Sequence, residues 1–231
     1  MKKFLIVMLA AAVVFGLGAG TAADGHLEDG EYVGYSEADE NGYVKAAVTL
    51  ENGDIISVNL TEYTEKEEAK GEDYTWDDWH EAMEILPERF EEANSSDVDI
   101  VSGATGTSEK AMEAVEMARQ KAEGVEQFDG TYLGTSAEDN GGWGVAWVTV
   151  EGESIVDVRL EEVTDGDEFK DEDYGWDHWH EAREEMPEWF VEADSPDVDT
   201  FTEATSSSQM WRESVENALE KAGLDTETLE E

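Results

Sequence analysis

The chain has 231 residues and a formal net charge of −46, from 14 basic and 60 acidic side chains. That balance leaves no basic patch of the kind nucleic acid or an anionic lipid surface requires, so no nucleic acid is expected among its direct partners. With no cysteine, disulfides, thiol catalysis, Cys-ligated zinc, c-type haem attachment and a cysteine-linked lipid are all excluded.

The N-terminus begins Met1-Lys2-Lys3, runs apolar from Phe4 to Leu17, and ends in small residues at Gly18-Ala19-Gly20-Thr21-Ala22-Ala23. This order describes a secretory signal peptide over residues 1–23, cut after Ala23, and an exported, extracytoplasmic protein of the cell envelope. The apolar run falls short of the ~20 residues that span a bilayer; an uncleaved, membrane-associated anchor is the alternative. Residues 24–231 carry −48. Self-repulsion on that scale opposes folding in dilute buffer, whereas molar salt shortens the screening length to about 3 Å. A salt-rich habitat fits this coat. Disorder is the other reading of high charge, but eight tryptophans, seven tyrosines and seven phenylalanines in periodic contexts oppose it.

From residue 27 onward the chain repeats itself at a constant offset of 100 residues, with about half of the aligned positions identical. Asp29-Gly30-Glu31-Tyr32-Val33-Gly34 returns as Asp129-Gly130-Thr131-Tyr132-Leu133-Gly134, and Trp76-Asp77-Asp78-Trp79-His80-Glu81-Ala82 as Trp176-Asp177-His178-Trp179-His180-Glu181-Ala182. A period of this length is that of a domain, too long for a solenoid unit. Two homologous domains are expected, at 27–124 and 127–224.

In each unit the elements read alike. Tyr43 to Glu51 alternates, with Val44, Ala46, Val48 and Leu50 on one face, as a half-buried strand does. Asn52-Gly53 signals a two-residue type I′ hairpin, after which Ile56, Val58 and Leu60 line the returning strand. The second unit repeats this with strands over 143–151 and 154–163 around Gly152-Glu153. An acidic stretch then leads to Asp77 or Asp177, each placed to cap a helix, which Pro87 or Pro187 interrupts or restarts. A last helix is expected from Thr107-Ser108, with Ala111, Val115, Ala118 and Ala122 at helical spacing. Strands first and helices afterwards give an α+β class, two tandem domains each with helices packed on an antiparallel sheet.

Just before that last helix stands Asp99-Ile100-Val101-Ser102-Gly103-Ala104-Thr105, and one period later Asp199-Thr200-Phe201-Thr202-Glu203-Ala204-Thr205. A helix start offers free N–H groups and the positive end of its dipole to a phosphate. Gly103 permits close backbone approach or positive φ, and Thr105 supplies a hydroxyl that can be esterified. Small loop residues of this kind also serve as a plain helix cap. The pattern Asp-x-x-(Ser/Thr)-Gly-Ala-Thr resembles the flavinylation motif of the FMN-binding domain family, which includes the C subunit of sodium-pumping quinone reductase and the G subunit of the Rnf complex. The resemblance implies an electron-transfer flavoprotein with covalent FMN on Thr105 through a phosphoester. Asp99, Ser102, Gly103, Ala104 and Thr107 are the other cofactor-binding residues expected. It also implies a flavin transferase using FAD and Mg²⁺, and a membrane electron-donor complex, quinol-linked or Rnf-like. In the second copy Glu203 adds a side chain and a charge, which is expected to disturb the site and leave Thr205 unmodified. A flavin bound through an ester cannot be lost by dilution outside the membrane. The alternative is a non-redox acidic surface protein on a vestigial flavin fold.

Trp79, Ala82, Leu86 and Phe90 share one helix face and read as core; the sharper reading has Trp76 or Trp79 covering the flavin ring and His80 bonding to it. His178 and His180 point in different directions on a helix, no third ligand stands near, and no metal is expected. No nucleophilic triad, nucleotide loop or carboxylate pair for acid–base catalysis stands out. An electron carrier, or one component of an oxidoreductase, fits better than a stand-alone enzyme.

Overall fold

The structure, a computed structural model, describes residues 27–139 and 142–224; the signal segment 1–23 lies outside the described residues. The first unit runs β1 (Gly30–Tyr35), β2 (Tyr43–Glu51), β3 (Asp54–Tyr63), α1 (Asp77–Ala93) and α2 (Thr105–Ala122). The second repeats it as β4 (Gly130–Thr135), β5 (Trp143–Glu151), β6 (Ser154–Val163), α3 (Asp177–Ala193) and α4 (Thr205–Ala222). Each unit is a three-stranded antiparallel meander with two helices on one face, which is the α+β class expected. Among the described residues no helix is long and apolar enough to cross a membrane.

Alternation in β2 places Val44, Ala46, Val48 and Leu50 wholly inside. The Asn52-Gly53 turn has φ of 55° and 83°, the double positive that type I′ demands. One detail departs from simple alternation. Thr49 pairs with Ser57 but Leu50 with Ile55, so a β-bulge inserts Ile56. Ile55 therefore faces the core and Ile56 turns outward, 45% exposed. The Ile55 N–H is taken up by Asn94 Oδ1 at 2.8 Å, which ties the C-terminal end of α1 to the bulge. Asp194 does the same for Ile155 at 2.7 Å.

Helix α1 begins at Asp77, the expected cap itself, so the cap falls one residue earlier. Trp76 occupies the cap with extended φ/ψ and no side-chain bond, and Asp77 sits in the first turn, where its charge meets the positive end of the dipole. The helix also continues through Pro87 to Ala93. A proline inside a helix costs about 3 kcal/mol, but Trp79 and Ala82 before it and Leu86 and Phe90 around it are all buried. Burying each large side chain contributes about 1.5–3 kcal/mol, so packing holds the two halves as one helix. Trp79 is core with its indole spent: Nε1 donates to Glu62 Oε2 at 2.8 Å, and Lys70 completes a buried pair with that carboxylate at 2.6 Å. Trp179, Glu162 and Lys170 repeat this arrangement.

The opposite faces of the two sheets meet each other. Tyr43, Leu133, Val145, Trp147 and Val163 form a separate apolar cluster there, flanked by Tyr35, Tyr63, Trp143 and Phe169. Ala38 N–H donates to Thr131 O at 2.7 Å, joining backbone to backbone across the junction. At its centre the Lys221 ammonium, from α4, donates to Leu133 O at 2.6 Å and to Glu67 of the first unit, whose carboxylate also receives Tyr43 Oη at 2.6 Å and Thr135. Burial alone would raise Glu67, but Lys221 and these hydrogen bonds outweigh it and hold the carboxyl below its ordinary range.

Candidate functional site

Helix α2 starts at Thr105, two residues earlier than its sequence pattern suggests, with Ala104 at the cap. Alanine is a poor cap, costing about 1 kcal/mol relative to Ser, Thr or Asp, and no side chain replaces the missing oxygen. The first intrahelical amide bond is Ser108 N–H to Ala104 O at 3.0 Å, so the N–H groups of Thr105, Gly106 and Thr107 precede the ladder and have no helical acceptor. No acidic residue occupies the first turn, although about one residue in four of the chain is acidic. Uncapped amides, an acid-free first turn and an exposed Thr105 at its first position together fit the phosphate end of FMN.

Ser108, fully buried, shapes the loop that precedes the helix. Its Oγ accepts the Val101 N–H at 3.0 Å and donates to Ala104 O at 2.9 Å, stapling the loop to the first turn. The loop passes through Gly103 at φ 87°, a conformation that L side chains enter at a cost. Space forbids a side chain as well. A Cβ on Gly103 would lie 2.2 Å from Asp78 Oδ2 and 2.5 Å from its Cγ, so the first turn of α1 rests its carboxylate directly on the loop.

Of the residues expected from sequence, Ser102, Gly103, Thr105 and Asp99 are exposed on this loop and helix start, whereas Ala104 and Thr107 are buried beneath it. Asp99 enters through its backbone: Arg89 Nη1 donates to Asp99 O at 2.5 Å and to Ile100 O at 3.3 Å, bringing a guanidinium to the loop. Trp76 is 41% exposed and stands two residues before Asp78, at the same end of the unit. Trp79 and His80 do not join the site. The former is buried in the core, and His80 Nε2 donates to Tyr74 O at 2.6 Å. No group of His, Asp and Glu able to hold a metal occurs among the described residues.

Sequence reasoning missed Asp78, Arg89 and the part played by Ser108. Position 78 carried a signal, since Asp78 changes to His178 together with Gly103 to Glu203. In the second unit His178 Nε2 contacts the Glu203 carboxylate, and its Nδ1 lies 3.1 Å from Glu181 Oε2. Arg89 is replaced by Trp189, which stacks on Phe201 with centroids 5.8 Å apart.

Residues 40–120 match the family model of the FMN-binding domain. The match covers most of the first unit, including the loop at Thr105, and supports the FMN-binding domain family, a flavin-binding protein and FMN as its cofactor. No curated protein matches the chain. Among solved structures, a Clostridium perfringens protein is similar at 24% identity over 42% of this chain and 88% of its own, with a TM-score of 0.36. A Clostridium thermocellum protein, solved in solution, is similar at 24% identity over 45% and 92%, with a TM-score of 0.26.

Proposed function

We propose that the protein is an exported electron-transfer flavoprotein with FMN esterified to Thr105. The observation that carries the reading is the exposed Thr105 hydroxyl at the first position of an uncapped helix whose own first turn holds no acid, inside the region that matches the FMN-binding domain. Thr105 Oγ1 would form the bond to the FMN-side phosphorus of FAD, within a Mg²⁺-dependent flavin transferase. The phosphoanhydride bond breaks, AMP leaves and the hydroxyl proton passes to solvent. The amides of Thr105, Gly106 and Thr107 would hold the resulting phosphate, and Gly103 keeps the backbone clear of it. Arg89 brings a cation to the Asp99–Ile100 end of the loop.

Once bound, the flavin supplies one- or two-electron transfer, and the protein supplies its position and its electrostatics. The ester answers a difficulty that composition creates. A surface at −46 repels anionic FMN, so free binding would be weak. Outside the membrane, a covalent link keeps the cofactor in place between a quinol-linked or Rnf-like donor and the next acceptor. The signal-like segment 1–23 supports export, and the acidic coat supports a salt-rich exterior.

Co-expression with a flavin transferase followed by intact-mass measurement tests the reading. One FMN-sized increment is expected, and Thr105→Ala removes it. A protein that stays unmodified refutes the attachment and favours a non-redox acidic surface protein on the same fold.

A further inference from the structure

The two loops differ less than their sequences suggest. Ala204 caps α4 with φ −121° and ψ 33°, against −123° and 45° for Ala104. Ser208 Oγ accepts the Phe201 N–H at 3.0 Å and donates to Ala204 O at 2.8 Å, repeating the Ser108 staple. Glu203 holds φ 66°, close to the 87° of Gly103, and Thr205 is exposed at the first helical position like Thr105. The expected distortion of the second loop is absent. Backbone geometry therefore does not separate the two threonines.

Charge does not separate them either. The first loop already carries a carboxylate pressed against Gly103, that of Asp78. The second carries Glu203, which His178 Nε2 contacts. Repulsion of an incoming phosphate acts at both loops.

What remains is a strap. Glu181, His178 and Glu203 join in series from helix α3 to the loop. In the first unit Asp78 has no loop side chain to join, because Gly103 offers none. A transferase must bring its bound FAD onto the loop face to reach a hydroxyl at the helix start, and in the second unit alone a pair of side chains bridges that loop to the neighbouring helix. Resting on the attachment to Thr105 proposed above, we infer that the His178–Glu203 pair is the specificity element that withholds Thr205 from flavin transfer, leaving one flavin per chain.

Both sites are read at once in the full chain co-expressed with a flavin transferase, by intact mass and by mass of the Thr105 and Thr205 peptides. The unaltered protein should load Thr105 alone. In H178D/E203G, which restores the first unit's pair, occupancy of Thr205 should rise at least tenfold. H178A, which opens the strap but keeps Glu203, should raise it severalfold. A double variant that loads Thr105 but not Thr205 overturns the inference, as does loading of Thr205 in the unaltered protein. If H178A leaves Thr205 empty while the double variant loads it, Glu203 alone is the block and the pair is not. Failure of every protein to load Thr105 overturns the attachment reading instead.

Discussion

Gly103→Ala isolates the tightest steric feature of the loop. Gly53 supplies the control, since it has nearly the same φ, 83° against 87°, and a Cβ there meets nothing within 4 Å. Placing alanine in the left-handed region costs about 1–2 kcal/mol, partly offset by about 0.4–1 kcal/mol from a stiffer unfolded chain; Gly53→Ala should therefore lose about 1 kcal/mol. At position 103 Asp78 must also rotate away from contacts of 2.2 and 2.5 Å, and its own Cβ stays at 3.1 Å. An off-rotamer side chain adds about 0.5–1.5 kcal/mol, so the total comes to about 2 kcal/mol. For a chain of this size that is a fall in Tm of about 4–8 °C, against about 2–4 °C for Gly53→Ala. Thermal melts of the two single variants, of Asp78→Ala and of the Gly103→Ala/Asp78→Ala double variant complete a cycle. The double variant should recover about 1 kcal/mol, a coupling in the range expected of touching residues. Equal losses at 53 and 103, with no coupling to Asp78, would refute the account of the loop.

Four further outcomes are expected. Ser108→Ala removes both bonds of a fully buried hydroxyl; it should cost about 1–3 kcal/mol and lower Thr105 loading, and a variant unchanged in both melt and loading contradicts the staple. Lys221→Met strands the mostly buried Glu67 without its cation and should cost about 3–5 kcal/mol, largely recovered by Glu67→Gln in the same chain. Because the folded Glu67 titrates below its ordinary 4.5, its contribution is complete above that pH and is lost as pH falls through the lower folded value; a junction insensitive to acid in a pH series of melts argues against it. Raising NaCl from about 0.1 to 2 M should raise Tm steadily, since the screening length at molar salt falls to about 3 Å; a flat curve would show that −46 is no burden to the fold.

Most of the fold was legible because the local signals are strong. Alternation in Tyr43–Glu51 and the Asn52-Gly53 pair define a hairpin whose strands fall at the residues expected. The errors lie where tertiary packing outvotes local preference. Pro87 sits within a continuous helix because Leu86 and Phe90 are held in the core, and Ile56 turns outward because a bulge absorbs one residue. At the site, the motif marked the loop but not what touches it. Asp78 stands 25 residues before Gly103, and only folding brings them together. The junction was invisible for the same reason. Lys221 and Glu67 are 154 residues apart, and nothing in either segment announces a partner.

Each unit ends where it began. Glu28 N–H donates to Ala122 O at 3.0 Å, and one period later Phe128 N–H donates to Ala222 O at 2.9 Å. Entry and exit of the chain thus share one corner, so the unit behaves as a cassette whose ends require no rerouting when it is copied in frame. Such closure explains how a whole 100-residue stretch was doubled with only residues 123–127 between the helix end of one copy and the first tie of the next.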